Sequence, residues 1–265
     1  MNFEPIINDS VNFTRDTLPG NPVRWLIFII LGLPGGLLPF VLNLNAITDK
    51  ATRSVHWELI HWDQVAVLGI LMLLASFFLS GYIVRIYRGG PTPPAFDQWA
   101  RLFVDGIKMD VVWLIWMLPA LILTLIALVS LFGIKSLGGD TAAGLGILIL
   151  VLILVLAAVI MMLAAVILGT IGVIRFARTG SIMEGVNYRD ILATIRSIGW
   201  WNYIIAGIII IVIALVFGII SGILGLIPFI GWVLSLIIMP FISVFCARFL
   251  SRVYDAGMPP SVPTS

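Results

Sequence analysis

Residues 197–247 read SIGWWNYIIAGIIIIVIALVFGIISGILGLIPFIGWVLSLIIMPFISVFCA, a run of 51 residues without one aspartate, glutamate, lysine or arginine. As a single α-helix it would reach about 76 Å at 1.5 Å per residue, more than twice a bilayer hydrocarbon core of roughly 30 Å. The run must therefore turn. Gly225-Leu226-Ile227-Pro228-Phe229-Ile230-Gly231 supplies the turn, because Pro228 lacks a backbone donor and the flanking glycines relax the chain. Two membrane spans are expected on either side, at about 203–226 and 232–249.

Four more charge-free intervals lie upstream: Trp25 to Thr48, Gln64 to Val84, Val111 to Ile134 and Thr141 to Ile174. A charge at the bilayer centre costs about 2.5–3.5 kcal/mol on insertion scales, so such intervals mark spans. They place four helices at about 25–44, 65–84, 111–132 and 145–172, giving six spans in all. The chain is 61% hydrophobic and 11% charged, with a mean hydropathy of +1.15, whereas soluble domains are about 25% charged. The fold class is therefore an all-α membrane protein, read as one membrane domain over residues 1–265. The first 22 residues carry Glu4, Asp9, Arg15 and Asp16 and no short apolar core, so no cleavable signal peptide is expected.

Orientation follows from lysine and arginine, which resist translocation. Arg15 and Arg24 precede the first span; Arg85, Arg88, Arg101 and Lys108 lie in the second connection. Arg175, Arg178, Arg189 and Arg196 lie in the fourth, and Arg248 and Arg252 follow the last span. Lys50, Arg53 and Lys135 alone fall on the other face, so 12 basic residues oppose 3. The even connections and both termini are thus expected in the cytoplasm. Leu33-Pro34-Gly35-Gly36 and Pro39 interrupt the first span and leave a re-entrant loop as its alternative.

The cytoplasmic connections have helical periodicity. Phe96, Trp99, Phe103 and Ile107 recur on one side, with Asp97, Arg101, Asp105 and Lys108 on the other, which describes an interfacial amphipathic helix at 96–108. Asp97 and Arg101 have the spacing of an i,i+4 pair. A second such helix is expected at 188–198, with Tyr188, Ile191, Leu192 and Ile195 opposed by Arg189, Arg196 and Ser197, and with Asn187 and Asp190 spaced like a capping box. A third, at 3–12, sets Phe3, Ile6, Ile7 and Val11 against Glu4, Asn8 and Asn12. Each precedes two spans, and each pair of spans closes on an arginine couple: Arg85 and Arg88, Arg175 and Arg178, Arg248 and Arg252. The chain reads as three repeats of interfacial helix plus membrane hairpin.

The stretch Pro93-Pro94-Ala95-Phe96-Asp97-Gln98-Trp99-Ala100-Arg101-Leu102-Phe103-Val104-Asp105-Gly106-Ile107-Lys108, after the helix end Gly81-Tyr82-Ile83-Val84-Arg85, resembles the recurrent segment of a mainly archaeal membrane family, domain of unknown function 4013. The resemblance runs from about residue 3 to Tyr254. It implies an archaeal plasma membrane and brings no known activity with it.

Chemistry-bearing residues are sparse. His56-Trp57-Glu58-Leu59-Ile60-His61-Trp62-Asp63 is the densest group of metal-ligand types, but its histidines are five apart where a shared helical face needs four; an interfacial loop anchored by Trp57 and Trp62 is expected, with no metal or cofactor. No nucleophile has a base nearby, so no enzyme is expected. Arg85, Arg88, Arg175, Arg178, Arg248 and Arg252 are candidate contacts for anionic lipid headgroups, although positive-inside anchoring alone would place arginines there. Gly218-Ile219-Ile220-Ser221-Gly222 has small residues four apart, suited to close packing inside the bundle. Cys246 cannot form an internal disulfide, and a net charge of +2 gives no ground for a nucleic-acid partner. The functional expectation is a non-enzymatic protein, lipid-associated or a scaffold, whose partners are membrane lipids. The alternative is a channel or transporter for a neutral or small solute, with a polar path along Ser76, Ser80, Thr124 or Ser221.

Overall fold

The computed structural model describes residues 1–42, 48–49, 54–134, 141–227 and 230–258. Helix α1 (Glu4–Thr17) is followed by α2 (Pro22–Leu42). Pro34, Gly35, Gly36 and Pro39 all lie within α2, which is helical across the interruption that the sequence raises. At 21 residues α2 is about 31 Å long, enough to cross a hydrocarbon core. Beyond it, β1 (Thr48–Asp49) pairs antiparallel with β2 (Ser54–Val55), and a single 3₁₀ turn covers Trp57–Leu59. Lys50, Arg53 and Lys135, which set the minority side of the charge count, lie outside the described residues, as do Pro228 and Phe229 of the expected turn.

Then come α3 (Trp62–Tyr87), α4 (Trp99–Ile134), α5 (Thr141–Thr179), the short α6 (Ile182–Val186), α7 (Tyr188–Ile198), α8 (Trp200–Gly225) and α9 (Ile230–Ala256). Six helices, within Pro22–Leu42, Trp62–Tyr87, Trp99–Phe132, Gly144–Thr179, Trp200–Gly225 and Gly231–Ala256, are long and apolar enough to cross a membrane. Only 6% to 33% of each apolar window is buried inside the protein, so most of the large aliphatic side chains face outward. Water would penalise that surface, and hydrocarbon accepts it.

One expectation is corrected at the second connection. The sequence separates an interfacial helix at 96–108 from a span at 111–132, whereas α4 is one helix of 36 residues, about 54 Å long. Nothing between Ile107 and Val111 stops a helix: Lys108-Met109-Asp110 contains neither proline nor glycine, and the three residues form helices readily enough. In the fourth connection Gly199, at φ +88, does break the chain between α7 and α8, so 188–198 forms a helix of its own.

The chain forms two compact units: residues 1–107 with 198–265, and residues 108–197. In the first unit α9 packs against α1, α2, α3 and α8. Its α3 meets the start of α4 glycine against backbone, since a Cβ on Gly81 would overlap the carbonyl of Leu102 and one on Gly106 would overlap that of Phe77. Aromatic rings fill the adjacent space. Phe96 stacks on Tyr82 at 4.3 Å and meets Phe28 edge-on at 5.3 Å, and Trp99 and Phe103 both meet Phe78. In the second unit Trp113 and Trp116 of α4 lie over Gly169 of α5, and the Trp116 indole donates to the Gly185 carbonyl at 3.0 Å. Gly218 and Gly222, by contrast, have open space around them, so they take no part in close packing among the described residues.

Candidate functional site

Arginine placed in the last turn of a helix complements its dipole, as Arg85 of α3 and Arg178 of α5 do, whereas Arg248 and Arg252 of α9 lie before the last turn of theirs. The first member of each couple is turned inward: the side chains of Arg85, Arg175 and Arg248 are 10%, 16% and 2% exposed. A guanidinium at such depth is costly unless every face is bonded. Each one is held by at least one carboxylate from outside its own helix.

Arg85 binds the Asp97 carboxylate and donates to the carbonyls of Ala95 and Asp97 at 2.7 and 2.8 Å. Arg88 donates to Asp105 at 2.6 Å. Asp105 is buried, not on the solvent face that its helical spacing suggests, and Asp97 pairs with Arg85 in place of Arg101. The intervening chain is shaped for this contact. Pro93 and Pro94 extend it, Phe96 docks on Tyr82, whose hydroxyl donates to the Pro94 carbonyl at 3.0 Å, and Gln98 turns the chain into α4 at φ +46. A positive φ is uncommon for a residue with a side chain and costs on the order of 1–3 kcal/mol, so the surrounding contacts must hold it.

Arg175 is held by Glu184 at 2.5 Å, Asp190 at 3.2 Å and the Thr194 hydroxyl at 3.3 Å. Asn187 donates its side-chain amide to Asp190 at 2.8 Å, so the two meet side chain to side chain and do not form a reciprocal capping box. Ile191 and Ile195 are buried as the periodicity suggests, while Tyr188 is exposed.

Arg248 and Arg252 converge on Asp9 of α1. Arg248 donates to Asp9 through Nε at 2.7 Å and Nη2 at 3.3 Å; Arg252 does so at 2.9 and 2.8 Å. Arg248 also reaches the Gly90 carbonyl at 2.7 Å and lies 4.3 Å over the Phe13 ring. Burial raises the Asp9 pKa, but the two arginines outweigh it and bring the carboxyl down to about 2. The buried face of α1 runs through Ser10, Phe13, Thr14 and Thr17, and Val11 is exposed, contrary to the expected apolar face. Each buried hydroxyl donates to the carbonyl four residues back, at 2.6–2.7 Å, which removes the cost of hiding it.

Beside the first clamp lies a cavity of about 470 Å³ lined by Phe13, Arg85, Arg88, Thr92, Gln98 and Arg101, among others. Elsewhere, His56 Nδ1 lies 2.8 Å from Glu58, both exposed, and among the described residues no group of three or more histidine, cysteine or acidic side chains could hold a metal. The hydroxyls of Ser76 and Thr124 donate to carbonyls of their own helices. The carboxylates Asp9, Asp97, Asp105, Glu184 and Asp190 are the site residues that the sequence reading passes over. Their signal is numerical: acidic residues are scarce, yet every segment next to an arginine couple contains at least one.

Six long apolar helices with outward-facing aliphatic side chains put the protein in the class of multi-pass membrane proteins. The family model described as Protein of unknown function (DUF4013) matches residues 65–226, more than half of the chain. The chain belongs to that family. No curated protein and no solved structure matches it.

Proposed function

We propose that the protein is a non-enzymatic, lipid-associated scaffold of the plasma membrane, with both termini and the arginine-bearing connections in the cytoplasm. The observation that carries this reading is a division among the cations. Arg85, Arg88, Arg175, Arg248 and Arg252 are bonded to carboxylates of the chain. Arg101, Lys108, Arg189 and Arg196 lie in the second and fourth of these connections and have neither a side-chain hydrogen bond nor an ion pair among the described residues. The paired arginines fix the scaffold, and the unpaired cations are suited to lipid phosphates, each worth about 1 kcal/mol near an anionic surface.

The order of pairing supports a three-unit organisation. The arginines that end the first hairpin hold the segment after it, Arg175 at the end of the second holds α6 and α7, and those that end the third return to α1. Two measurements test the proposal. In a Cys246→Ala background, Asn12→Cys, Thr92→Cys and Met183→Cys should resist a membrane-impermeant thiol reagent in intact cells, while His56→Cys should be labelled; labelling of the first three would reverse the orientation. Native mass spectrometry from mixed nanodiscs should find phosphatidylglycerol retained over phosphatidylcholine. Equal retention would defeat the lipid reading.

A further inference from the structure

We propose that the cavity between the end of α3 and the start of α4 is a binding site for a phosphate-ester anion, with Arg101 and Arg88 as its charged contacts and Thr92 and Gln98 as neutral ones. The proposal rests on the reading of the arginine-bearing side as a headgroup-facing surface, and it assigns that role to one cavity.

The first argument is charge. Arg85, Arg88 and Arg101 line the cavity, and Asp97 is the sole carboxylate among its lining residues. Asp97 is committed to Arg85, and Asp105 neutralises Arg88 from outside the lining. Arg101 has neither an ion pair nor a hydrogen bond among the described residues, so one full positive charge remains uncompensated at the cavity wall. The second is donor supply. Arg88 uses one Nη2 hydrogen on Asp105, leaving four of its five N–H groups, and Arg101 keeps all five. Guanidinium forks match the paired oxygens of a phosphate better than any other side chain.

The third argument is backbone geometry. Gln98 holds φ +46 immediately before α4, which points the positive end of a 36-residue helix at the cavity edge. A non-glycine residue in that conformation is the kind of strain that folds retain where a site requires it. Size is the fourth. At about 470 Å³ the cavity lies within the range of small-molecule sites, wide enough for a phosphate and a short polar alcohol such as glycerol.

The chemistry is shared by a phospholipid headgroup and a soluble phosphate ester, and the arms of the experiment separate them. Purified protein in detergent is titrated with glycerol 3-phosphate, dihexanoyl phosphatidylglycerol and dihexanoyl phosphatidylcholine, following thermal stability. Phosphatidylglycerol should stabilise saturably and phosphatidylcholine should not; an equal response to glycerol 3-phosphate identifies a soluble ester, and none identifies the lipid. Arg101→Gln, at an exposed position that leaves the clamps intact, should weaken binding about tenfold, as expected for one charge-assisted contact. Arg189→Gln removes the same charge from another segment and should leave it unchanged. Equal effects of the two variants, or unaltered binding in Arg101→Gln, would overturn the cavity assignment. In that case nanodisc retention of phosphatidylglycerol by the wild-type protein still decides the broader lipid reading on its own.

Discussion

Asp9→Asn preserves the shape of the residue that joins α1 to α9 and removes its charge. The Asp9 carboxylate receives four N–H donors from Arg248 and Arg252, and the Arg248 side chain is 2% exposed. Breaking a buried pair in this way costs about 3–5 kcal/mol, because the remaining charge is left uncompensated. Two features reduce the figure. Asp9 and Arg252 are 32% and 35% exposed, so water screens that half of the clamp, and Arg248 keeps the Gly90 carbonyl and the Phe13 ring. The expected loss is about 2–3 kcal/mol, equivalent to a fall in Tm of about 5–10 °C for a chain of this size. Cys246, the only cysteine, provides the readout through a thiol-reactive dye during a thermal ramp in detergent. Asp16→Asn is the control, since Asp16 pairs with Arg15 at an exposed position. The wild-type protein should also lose stability as pH falls from about 4 toward 2, because Asp9 titrates at about 2 instead of its ordinary 3.8 and contributes only while ionised. Asp9→Asn should flatten that acid limb. A Tm within 2 °C of the Asp16→Asn control, on the order of what a surface substitution gives, would refute the clamp as the force that docks α1.

Gly106→Val should abolish a monodisperse peak in size-exclusion chromatography, since its Cβ would have to displace the backbone of Phe77 and Gly81, whereas Gly222→Ala should be neutral or slightly stabilising in open space. Asp97→Ala should lower the melting temperature by the equivalent of about 1–2 kcal/mol by stripping the largely buried Arg85 side chain, while Arg101→Ala should stay within about 0.5 kcal/mol in the same assay. Glu184→Gln and Asp190→Asn should be non-additive. Arg175 keeps one carboxylate in either single variant, so the double variant should melt lower than the two separate shifts combined.

The six apolar helices were legible because charge is so expensive in hydrocarbon that its absence over some twenty residues has little other use. The clamps were not, for a reason specific to each residue. Asp105 has the spacing of a solvent-facing charge on an amphipathic helix, and only the neighbouring Arg88 explains its burial. Ser10, Thr14 and Thr17 count as polar in any periodicity scan, yet they line the buried face of α1 because each hydroxyl returns its proton to the helix backbone. The continuity of α4 is masked in the sequence by its changing character: the apolar stripe of residues 96–107 gives way to an all-round apolar helix, so one helix has the pattern of two. The cavity beside Arg101 is lined in part by Gln98, whose positive φ no side-chain pattern signals in a glutamine.

The pairing of Asp9 with Arg248 also sets a timetable. The two residues are separated by 239 positions, whereas Arg85 and Asp97 are 12 apart. At a synthesis rate of about 5–20 residues per second, α1 waits about 10–50 s for its arginines, while the Arg85–Asp97 clamp can close within seconds. Throughout that interval the hydroxyl-lined face of α1 and its carboxylate are uncovered. A chain cut short before residue 248 lacks both arginines that hold Asp9, so its α1 has no clamp on which to dock.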